Sequence, residues 1–412
     1  MLDDQRTEKF RQIVENKFQI YNSLFMSLPY DKMTNIGMLL PFLYEESKDG
    51  YQQGKSPIEI VEEFFTKHSD LENEEQKLEL LFKIIQYIER QVVLFDSIED
   101  AAFSELHSES DAGTLLQIYE RALQENKLSE ISNKLDDFAV RVVFTAHPTQ
   151  FYPNAVQRIL HDLRKAINTD SVTEIDMLLQ QLGKTPFVNQ ERPTPLDEAM
   201  SIIYYLRYVY YETIGELYQK LKNAFGNKNF TPNPNTIQLG FWPGGDRDGN
   251  PFVTAEITQK VADELNITIL KCYYEHLKKL RRRLSFRGVS EVLEELSQKL
   301  YNSIFRNENE ISETELLQSL DKAEQILIEK HNGLFKNLLD EFKDSVKIFG
   351  THFASLDIRQ DSRIHQQVIE NIIEKNYKGN ISELSQNDRW KFLAENDFNF
   401  NLNDFEGITK ET

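Results

Sequence analysis

Three short apolar segments, each followed by a polar cluster and then by a helical pattern, constrain the fold more than any other feature. They are Phe138–Phe144, Thr236–Phe241 and Phe353–Ile358, and they are rich in β-branched and aromatic residues. A strand followed by a polar turn and a helix is typical of parallel sheets, in which functional side chains lie where the strands end. The sequence therefore predicts a parallel sheet whose carboxyl edge carries the polar clusters.

Most of the remaining sequence predicts helices, because apolar residues recur at three- and four-residue spacing. The segments with this pattern are 6–27, 58–67, 73–97, 154–167, 196–223, 254–283, 288–304, 314–330 and 362–375. A closed α/β barrel needs about eight strands, so either the sheet is open or strands are missing from the chain. We expect a mostly α protein with α/β-barrel elements: an incomplete TIM-type (β/α) barrel surrounded by many helices.

The length of 412 residues exceeds the size at which one simple core stops growing, so one large barrel or two units are the alternatives. We expect a helical region over 1–135 and the first part of the barrel, with inserted helices, over 136–375. Residues 376–412 would then be a partial C-terminal segment.

Composition excludes several classes of protein. The net charge of −20, from 47 basic and 67 acidic residues, argues against nucleic acid as the main partner. There is no apolar run long enough for a membrane span and no signal peptide, and Cys272 is the single cysteine. We therefore expect no disulfide, no cysteine-built metal site, no membrane partner and a reduced, cytoplasmic setting. The basic run from Lys278 to Arg283 is interpreted as the solvated face of a helix.

His147 follows the first predicted strand and precedes Pro148, which ends the strand. A histidine at a strand end can act as a base, an acid or a positively charged stabiliser near neutral pH. The alternative is a structural histidine that caps the next helix or is hydrogen-bonded within the loop.

The second cluster, Gly240–Pro251, contains four glycines and two prolines, which define an irregular, tight backbone. It presents Asp246, Arg247 and Asp248 in succession. We expect the two carboxylates to hold Arg247 by charge-assisted hydrogen bonds and to aim it at an anion. A purely structural turn is the alternative. The pattern argues against calcium binding, because the glutamate that ends an EF-hand loop is absent.

Arg359 emerges where the third predicted strand ends, ahead of a helix that Asp361 or Ser362 can cap. An arginine in this place can bind a phosphate or carboxylate in a fork geometry. The alternative is an ordinary ion pair with Asp357 or Asp361.

Taken together, these strings resemble the phosphoenolpyruvate carboxylase family, in the family's order and at compatible spacing. T-A-H-P-T stands at Thr145–Thr149 and G-G-D-R-D-G-N-P at Gly244–Pro251. The string at Leu356–Ser362 is L-D-I-R-Q-D-S, with Asp361 where the family has glutamate, and R-P-T-P-L-D-E stands at Arg192–Glu198. The resemblance covers nearly the whole chain but only the N-terminal portion of the family's sequence.

The resemblance implies an enzyme that forms oxaloacetate and phosphate from phosphoenolpyruvate and bicarbonate, replenishing the tricarboxylic acid cycle. It implies that His147 is catalytic, that Arg359 contacts phosphate, and that Arg247, braced by Asp246 and Asp248, lines or braces the site. It also implies Mg²⁺ or Mn²⁺, held by carboxylates outside this chain, and a homotetramer at full length. We expect His147, Arg247 and Arg359 to converge.

Because the family's H-G-R-G-G loop, catalytic lysine and metal ligands have no counterpart here, we expect a truncated chain that is inactive alone. We also expect exposed apolar surface beside the strands. Two other functions remain open: a phosphoryl-transfer enzyme in which His147 accepts the phosphoryl group, and a non-catalytic fragment.

Overall fold

The computed structural model describes residues 4–27, 36–107, 113–145, 152–187, 193–225, 231–248, 250–306, 311–377, 384–396 and 400–412. The chain divides into two compact units. The described residues of Met1–Ala112 and Thr149–Glu191 form the first unit, and those of Gly113–Pro148 and Arg192–Thr412 form the second. Residues 152–187, which follow the first predicted strand, belong to the first unit together with the N-terminal helices. The domain boundaries expected at residues 135 and 375 stay predictions.

Helices dominate both units, as the periodicity predicts. In chain order they are α1 (Asp4–Ser27), α2 (Ile36–Gln52), α3 (Pro57–His68), α4 (Glu74–Ala102), α5 (Leu115–Gln124), α6 (Leu128–Asp137), α7 (Asn154–Asn168), α8 (Val172–Lys184), α9 (Pro195–Tyr205), α10 (Tyr211–Phe225), α11 (Ala255–Arg283), α12 (Val289–Arg306), α13 (Glu313–His331), α14 (Lys336–Phe349), α15 (Ser362–Tyr377), α16 (Gln386–Glu395) and α17 (Gly407–Glu411). A π-helical segment, Leu206–Tyr210, connects α9 to α10. Among the described residues, no helix combines the length and apolarity that crossing a membrane requires.

The first unit is built around α4 and α7, which pack face to face. Val93 and Leu94 on α4, and Val156 and Leu163 on α7, are fully buried in this core. Apolar residues at helical spacing form these faces, and their burial is the main favourable term in folding.

The second unit contains a bundle formed by α11, α12, α13 and α14, in which each helix packs on the next and α14 returns to α11. Thr254 caps α11, and Ser312 and Glu315 form a capping box at the start of α13. The basic run lies in the last turns of α11, where Lys278, Lys279, Arg282 and Arg283 are exposed, so its interpretation as a solvated face is confirmed.

The sheet consists of β1 (Val140–Phe144), β2 (Ile237–Phe241) and β3 (Ser355–Leu356). These described strands are parallel and lie in the order β1-β2-β3. Leu239 and Phe241 on β2 pack into the core that includes the bundle. The three predicted strands are confirmed, although each is shorter than predicted, and the mostly helical class with a small parallel sheet is confirmed.

Candidate active site at the carboxyl ends of the strands

Strand pairing continues beyond the carboxyl ends of β2 and β3. The Asp357 N–H donates to the Phe241 carbonyl at 2.9 Å, and the Arg359 N–H donates to the Gly245 carbonyl at 3.0 Å. The Arg247 N–H in turn donates to the Arg359 carbonyl at 2.9 Å, and Asp246 and Arg359 form a parallel bridge. These bonds hold the second and third polar clusters side by side, and we call the paired backbone 245–247 and 357–359 the bridged segment.

Two glycines allow this close approach. A Cβ on Gly245 would lie 2.3 Å from the carbonyl oxygen of Asp357, so any other residue would push the two backbones apart. Gly244 has a φ of +79°, which side chains disfavour, and a Cβ there would lie 2.5 Å from Val261. The glycine pair predicted to define a tight backbone is therefore needed where the strands end.

One side of the sheet carries a connected group of polar side chains at this edge, which we call the strand-end cluster: Arg141, Trp242, Asp246, Asp357 and Arg359. Asp357 accepts a hydrogen bond from Arg141 Nη2 at 2.6 Å and another from Trp242 Nε1 at 3.1 Å. Because residues two apart in a strand point to the same face, Asp357 and Arg359 share this side. Asp357 thus orients the side chains of both Trp242 and Arg141.

Arg359 is the cation of this cluster that is best placed to meet an anion. Its Nη1 lies 3.2 Å from Asp246 Oδ2, its Nη2 lies 3.9 Å from Asp248 Oδ2, and its guanidinium stacks 4.6 Å from the Trp242 ring. The side chain nevertheless remains 44% exposed. An arginine that is oriented by a carboxylate and an aromatic ring, yet reachable from solvent, can bind a phosphate or carboxylate with little reorganisation.

The ion pair foreseen between Arg359 and Asp357 or Asp361 is not formed. Asp357 is engaged by Arg141 and Trp242, and Asp361 is engaged by Arg363, whose Nη2 lies 2.5 Å from Asp361 Oδ2. The hydrogen bonds from Arg363 lower the pKa of Asp361 to about 2. Arg359 pairs with the aspartates of the glycine-rich loop because the bridge aligns the two segments.

The prediction that Asp246 and Asp248 hold Arg247 is wrong. Both aspartates turn to Arg359, whereas Arg247 Nη1 donates to the main-chain carbonyl of Glu411 at 2.6 Å. Successive residues of an extended chain point in opposite directions, so two aspartates that flank an arginine face away from it. Arg247 is only 8% exposed and does not share the surroundings of Arg359.

His147 lies outside the described residues, so its predicted convergence with Arg359 stays a prediction. The backbones of Arg247 and Arg359 do come together at the carboxyl edge, as predicted, but their side chains point to different sides of the bridged segment. The sequence did not lead us to Arg141 or Trp242, nor to Asp357 as the residue that accepts hydrogen bonds from both. A usable signal was present, since Arg141 is a charged residue within an otherwise apolar strand.

The described residues do not fit a metal ion. No group of three or more His, Cys, Asp or Glu side chains among them could hold one. The carboxylates of Asp246 and Asp248 both face the Arg359 guanidinium. Carboxylates neutralised in this way are poor ligands for a hard cation.

Comparison with known proteins identifies the family. A model of phosphoenolpyruvate carboxylase matches residues 59–314 and 302–397, which is well over half of the chain. The phosphoenolpyruvate carboxylase of Shewanella sediminis is 27% identical over 305 residues, which are 63% of this chain and 35% of that protein. The enzyme of Nitrosomonas eutropha is 25% identical over 322 residues (64% and 34%), and that of Gloeobacter violaceus is 27% identical over 311 residues (60% and 33%). These matches span about a third of the length of each relative, and the chain belongs to the phosphoenolpyruvate carboxylase family.

Proposed function

We propose that this chain supplies part of a phosphoenolpyruvate carboxylase active site, which forms oxaloacetate and phosphate from phosphoenolpyruvate and bicarbonate. The observation that carries the proposal is Arg359, held by Asp246 and Trp242 at the carboxyl ends of parallel strands while its side chain stays open to solvent. The strings that place Arg359, Asp246 and His147 in the family's order support the same conclusion.

In the proposed reaction, bicarbonate attacks the phosphoryl group of phosphoenolpyruvate, and the bond from phosphorus to the enol oxygen breaks. Carboxyphosphate and the enolate of pyruvate result. Carboxyphosphate then yields carbon dioxide and phosphate, and the enolate carbon captures the carbon dioxide. Every species on this path except carbon dioxide is an anion, and water would protonate the enolate, so the site needs fixed positive charge and exclusion of water.

Arg359 would supply this positive charge at the phosphoryl group. Its guanidinium offers paired N–H donors that match phosphate oxygens, and its orientation by Asp246 and Trp242 lowers the cost of ordering it when substrate binds. Asp357 would support this arrangement indirectly, because it accepts hydrogen bonds from Arg141 and from Trp242, the residue on which Arg359 stacks. His147 would act as base or stabiliser during carboxyphosphate breakdown and carboxylation, a role that rests on the T-A-H-P-T string alone.

The family resemblance implies Mg²⁺ or Mn²⁺, which would polarise phosphate and enolate oxygens when bound. On the basis of the resemblance, we propose that its ligands lie outside this chain. We propose further that the three strands are the first part of a barrel, and that the full-length protein is a cytoplasmic homotetramer. The 412-residue chain alone would then be inactive.

The test measures bicarbonate-dependent oxaloacetate formation by the full-length gene product with Arg359→Ala, His147→Asn or Arg363→Ala. Arg359→Ala should lower kcat/KM roughly a hundredfold or more and raise KM, because an anion contact present throughout the reaction is lost. His147→Asn should lower kcat with little change in substrate binding. Arg363 lies four residues from Arg359, is 88% exposed and pairs with Asp361, so Arg363→Ala should stay within about twofold of the wild type.

Equal, mild effects of Arg359→Ala and Arg363→Ala would refute the role of Arg359. A phosphoryl group found on His147, with turnover that needs no bicarbonate, would favour the phosphotransfer alternative. The 412-residue chain is assayed in parallel: robust turnover by it alone would refute the proposed inactivity. Absence of turnover from the full-length protein as well would favour a non-catalytic protein.

A further inference from the structure

Helix α4 is apolar on two opposite faces, of which one is buried and the other is exposed. Ile84, Leu94 and Ile98 lie on the buried face, in the core of the first unit where α4 packs against α7 and α1. The opposite face carries four exposed apolar side chains: Leu78 (55%), Phe82 (64%), Ile85 (51%) and Val92 (44%). A helix that is apolar on all sides is normally buried on all sides, so the exposed face has the character of a contact surface.

The exposed face has the residue spacing of a helix–helix interface. We call six positions along it the α4 seam: Leu78, Phe82, Ile85, Glu89, Val92 and Asp96. These positions advance by alternating steps of four and three residues, an average of about 3.5, which is the repeat of two helices packed side by side. The seam spans roughly 27 Å, or about five helical turns. Its geometry therefore fits a second helix that lies along α4.

All the charge in the seam is negative. Glu89 and Asp96 stand within it, Asp100 lies one turn beyond, and these three carboxylates form no ion pair with any described residue. The lysines of α4, Lys77 and Lys83, are already paired with carboxylates of the same helix. Burial and the charge of Asp100 raise the pKa of Asp96. A cation from a partner would stabilise the charged form of these carboxylates.

The charge selects among the possible partners. A second copy of α4 would bury Glu89 and Asp96 without a cation, because the seam contains no basic residue, and burial of an unpaired charge is costly. Helices that lie on membranes carry lysine and arginine beside their apolar face, which is the opposite of what α4 carries. A helix with basic residues opposite positions 89 and 96 would bury the apolar side chains and pair both carboxylates.

The same carboxylates favour a partner that binds reversibly. An interface that is always covered is mainly apolar, and charged residues are depleted at its centre. Glu89 lies in the middle of the seam and is partly exposed, so it keeps this face hydrated while the face is uncovered. The seam thus combines apolar contact area with the charge that an intermittently exposed surface needs.

We propose that the α4 seam binds a basic amphipathic helix of a partner protein. The partner helix carries apolar residues at alternating three- and four-residue spacing, with lysine or arginine opposite Glu89 and Asp96. Phe82 and Ile85 supply most of the affinity through the apolar area that they bury, and the charge pairs set the register and direction of the partner. The inference does not depend on the proposed carboxylase activity.

The probe is a fluorescently labelled peptide of about 21 residues, or three heptads, with leucine at the seam positions, lysine beside them and alanine elsewhere. A matched peptide has glutamate in place of each lysine. Binding of both peptides to the 412-residue chain is measured by fluorescence anisotropy at low ionic strength. The lysine peptide should bind at least roughly tenfold more tightly than the glutamate peptide, and added salt should reduce this difference.

One pair of variants tests the apolar contacts. Phe82→Gln should weaken binding of the lysine peptide roughly tenfold or more, because it removes the most exposed apolar side chain of the seam. Met177→Gln is the control, since Met177 is equally exposed to solvent at 58% but lies on α8, and this change should leave binding unaltered. Both residues are exposed, so circular dichroism should show unchanged helix content.

A second pair of variants tests the charges. The double variant Glu89→Lys/Asp96→Lys should reverse the preference, so that the glutamate peptide binds more tightly than the lysine peptide. Glu212→Lys/Glu216→Lys makes the same change in net charge at two exposed positions of α10 and should keep the original preference. This comparison separates a specific contact at the seam from general attraction between a basic peptide and an acidic protein.

Several outcomes would overturn the proposal. They are no binding of the lysine peptide, equal binding of the two peptides, equal effects of Phe82→Gln and Met177→Gln, and an unreversed preference in the double variant at the seam. Loss of self-association in Phe82→Gln, measured by sedimentation velocity, would assign the seam to a second copy of the chain. If the full-length gene product does not bind the lysine peptide although the 412-residue chain does, the seam is covered within the protein itself and has no separate partner.

Discussion

The α11–α14 bundle and the three-stranded sheet belong to the same unit, but they bury their apolar residues to very different extents. Leu277, Leu293 and Phe342 in the bundle are completely buried. On β1, Val140 is 47% exposed, and Val142 and Val143 are each 37% exposed. A bundle closes on itself, since each helix covers the next, whereas a sheet buries only the face on which another layer packs. The stability of this unit should therefore reside in the bundle, and β1 should be an interaction surface.

The largest expected effect on the free energy of unfolding comes from a substitution in the bundle. Phe342 is fully buried, and its ring lies 5.8 Å from that of Tyr273 and 4.7 Å from that of His276. Phe342→Ala should lower the free energy of unfolding by about 3–5 kcal/mol, measured by urea denaturation, because it removes apolar contacts and leaves a cavity. Val142→Ala on β1 should cost less than about 1 kcal/mol. Equal costs for the two variants would contradict the comparison.

A smaller effect on stability in the bundle comes from His276 and depends on pH. Burial, assisted by the charge of Lys279, lowers the pKa of His276 to about 4, and its Nδ1 lies 2.9 Å from the Tyr211 hydroxyl. The unfolded chain binds this proton near pH 6.5 and the folded chain only near pH 4, so stability falls as the pH decreases through this window. The loss attributable to His276 should be about 3 kcal/mol at pH 4 relative to pH 7.5.

The measurement compares urea denaturation of the wild type and His276→Gln at several pH values from 4 to 7.5. Carboxylates titrate in both proteins, so the difference between the two curves isolates the histidine. The variant should lose less stability than the wild type as the pH decreases. Parallel curves would show that His276 does not resist protonation in the folded protein.

The smallest effect on stability is expected at β1, where association is the informative measurement. Exposed apolar residues on an edge strand favour pairing with another molecule. Val140→Lys should change the free energy of unfolding by less than about 1 kcal/mol but reduce self-association of the 412-residue chain in sedimentation velocity. Met177→Lys is the control, because Met177 is 58% exposed on α8 in the other unit and should not affect association. A chain that is monomeric before the change would refute the prediction.

Local patterns predicted much of the secondary structure. The spacing of apolar residues predicted α4, α11 and α13 to within a few residues of their observed bounds, apart from a longer C-terminal end of α4. Shorter helices such as α8 and α14 were not predicted, although each has a buried apolar face. The π-helical segment within the predicted helix 196–223 was also not foreseen, because a single extra residue in a turn leaves the apolar pattern nearly unchanged.

The sequence by itself determined the family, the three strands and the position of Arg359 at a strand end. These properties depend on residue order and on local backbone preference. Gly244 and Gly245, for example, stand where the backbone has no room for a Cβ. Only the tertiary structure decided which charges meet. Asp246 pairs with Arg359, 113 residues away, and Arg247 contacts Glu411, because the register of the bridged segment and the alternation of side chains set these contacts. The spacing of charged residues along one segment does not reveal either the register between two segments or the contacts that the register creates.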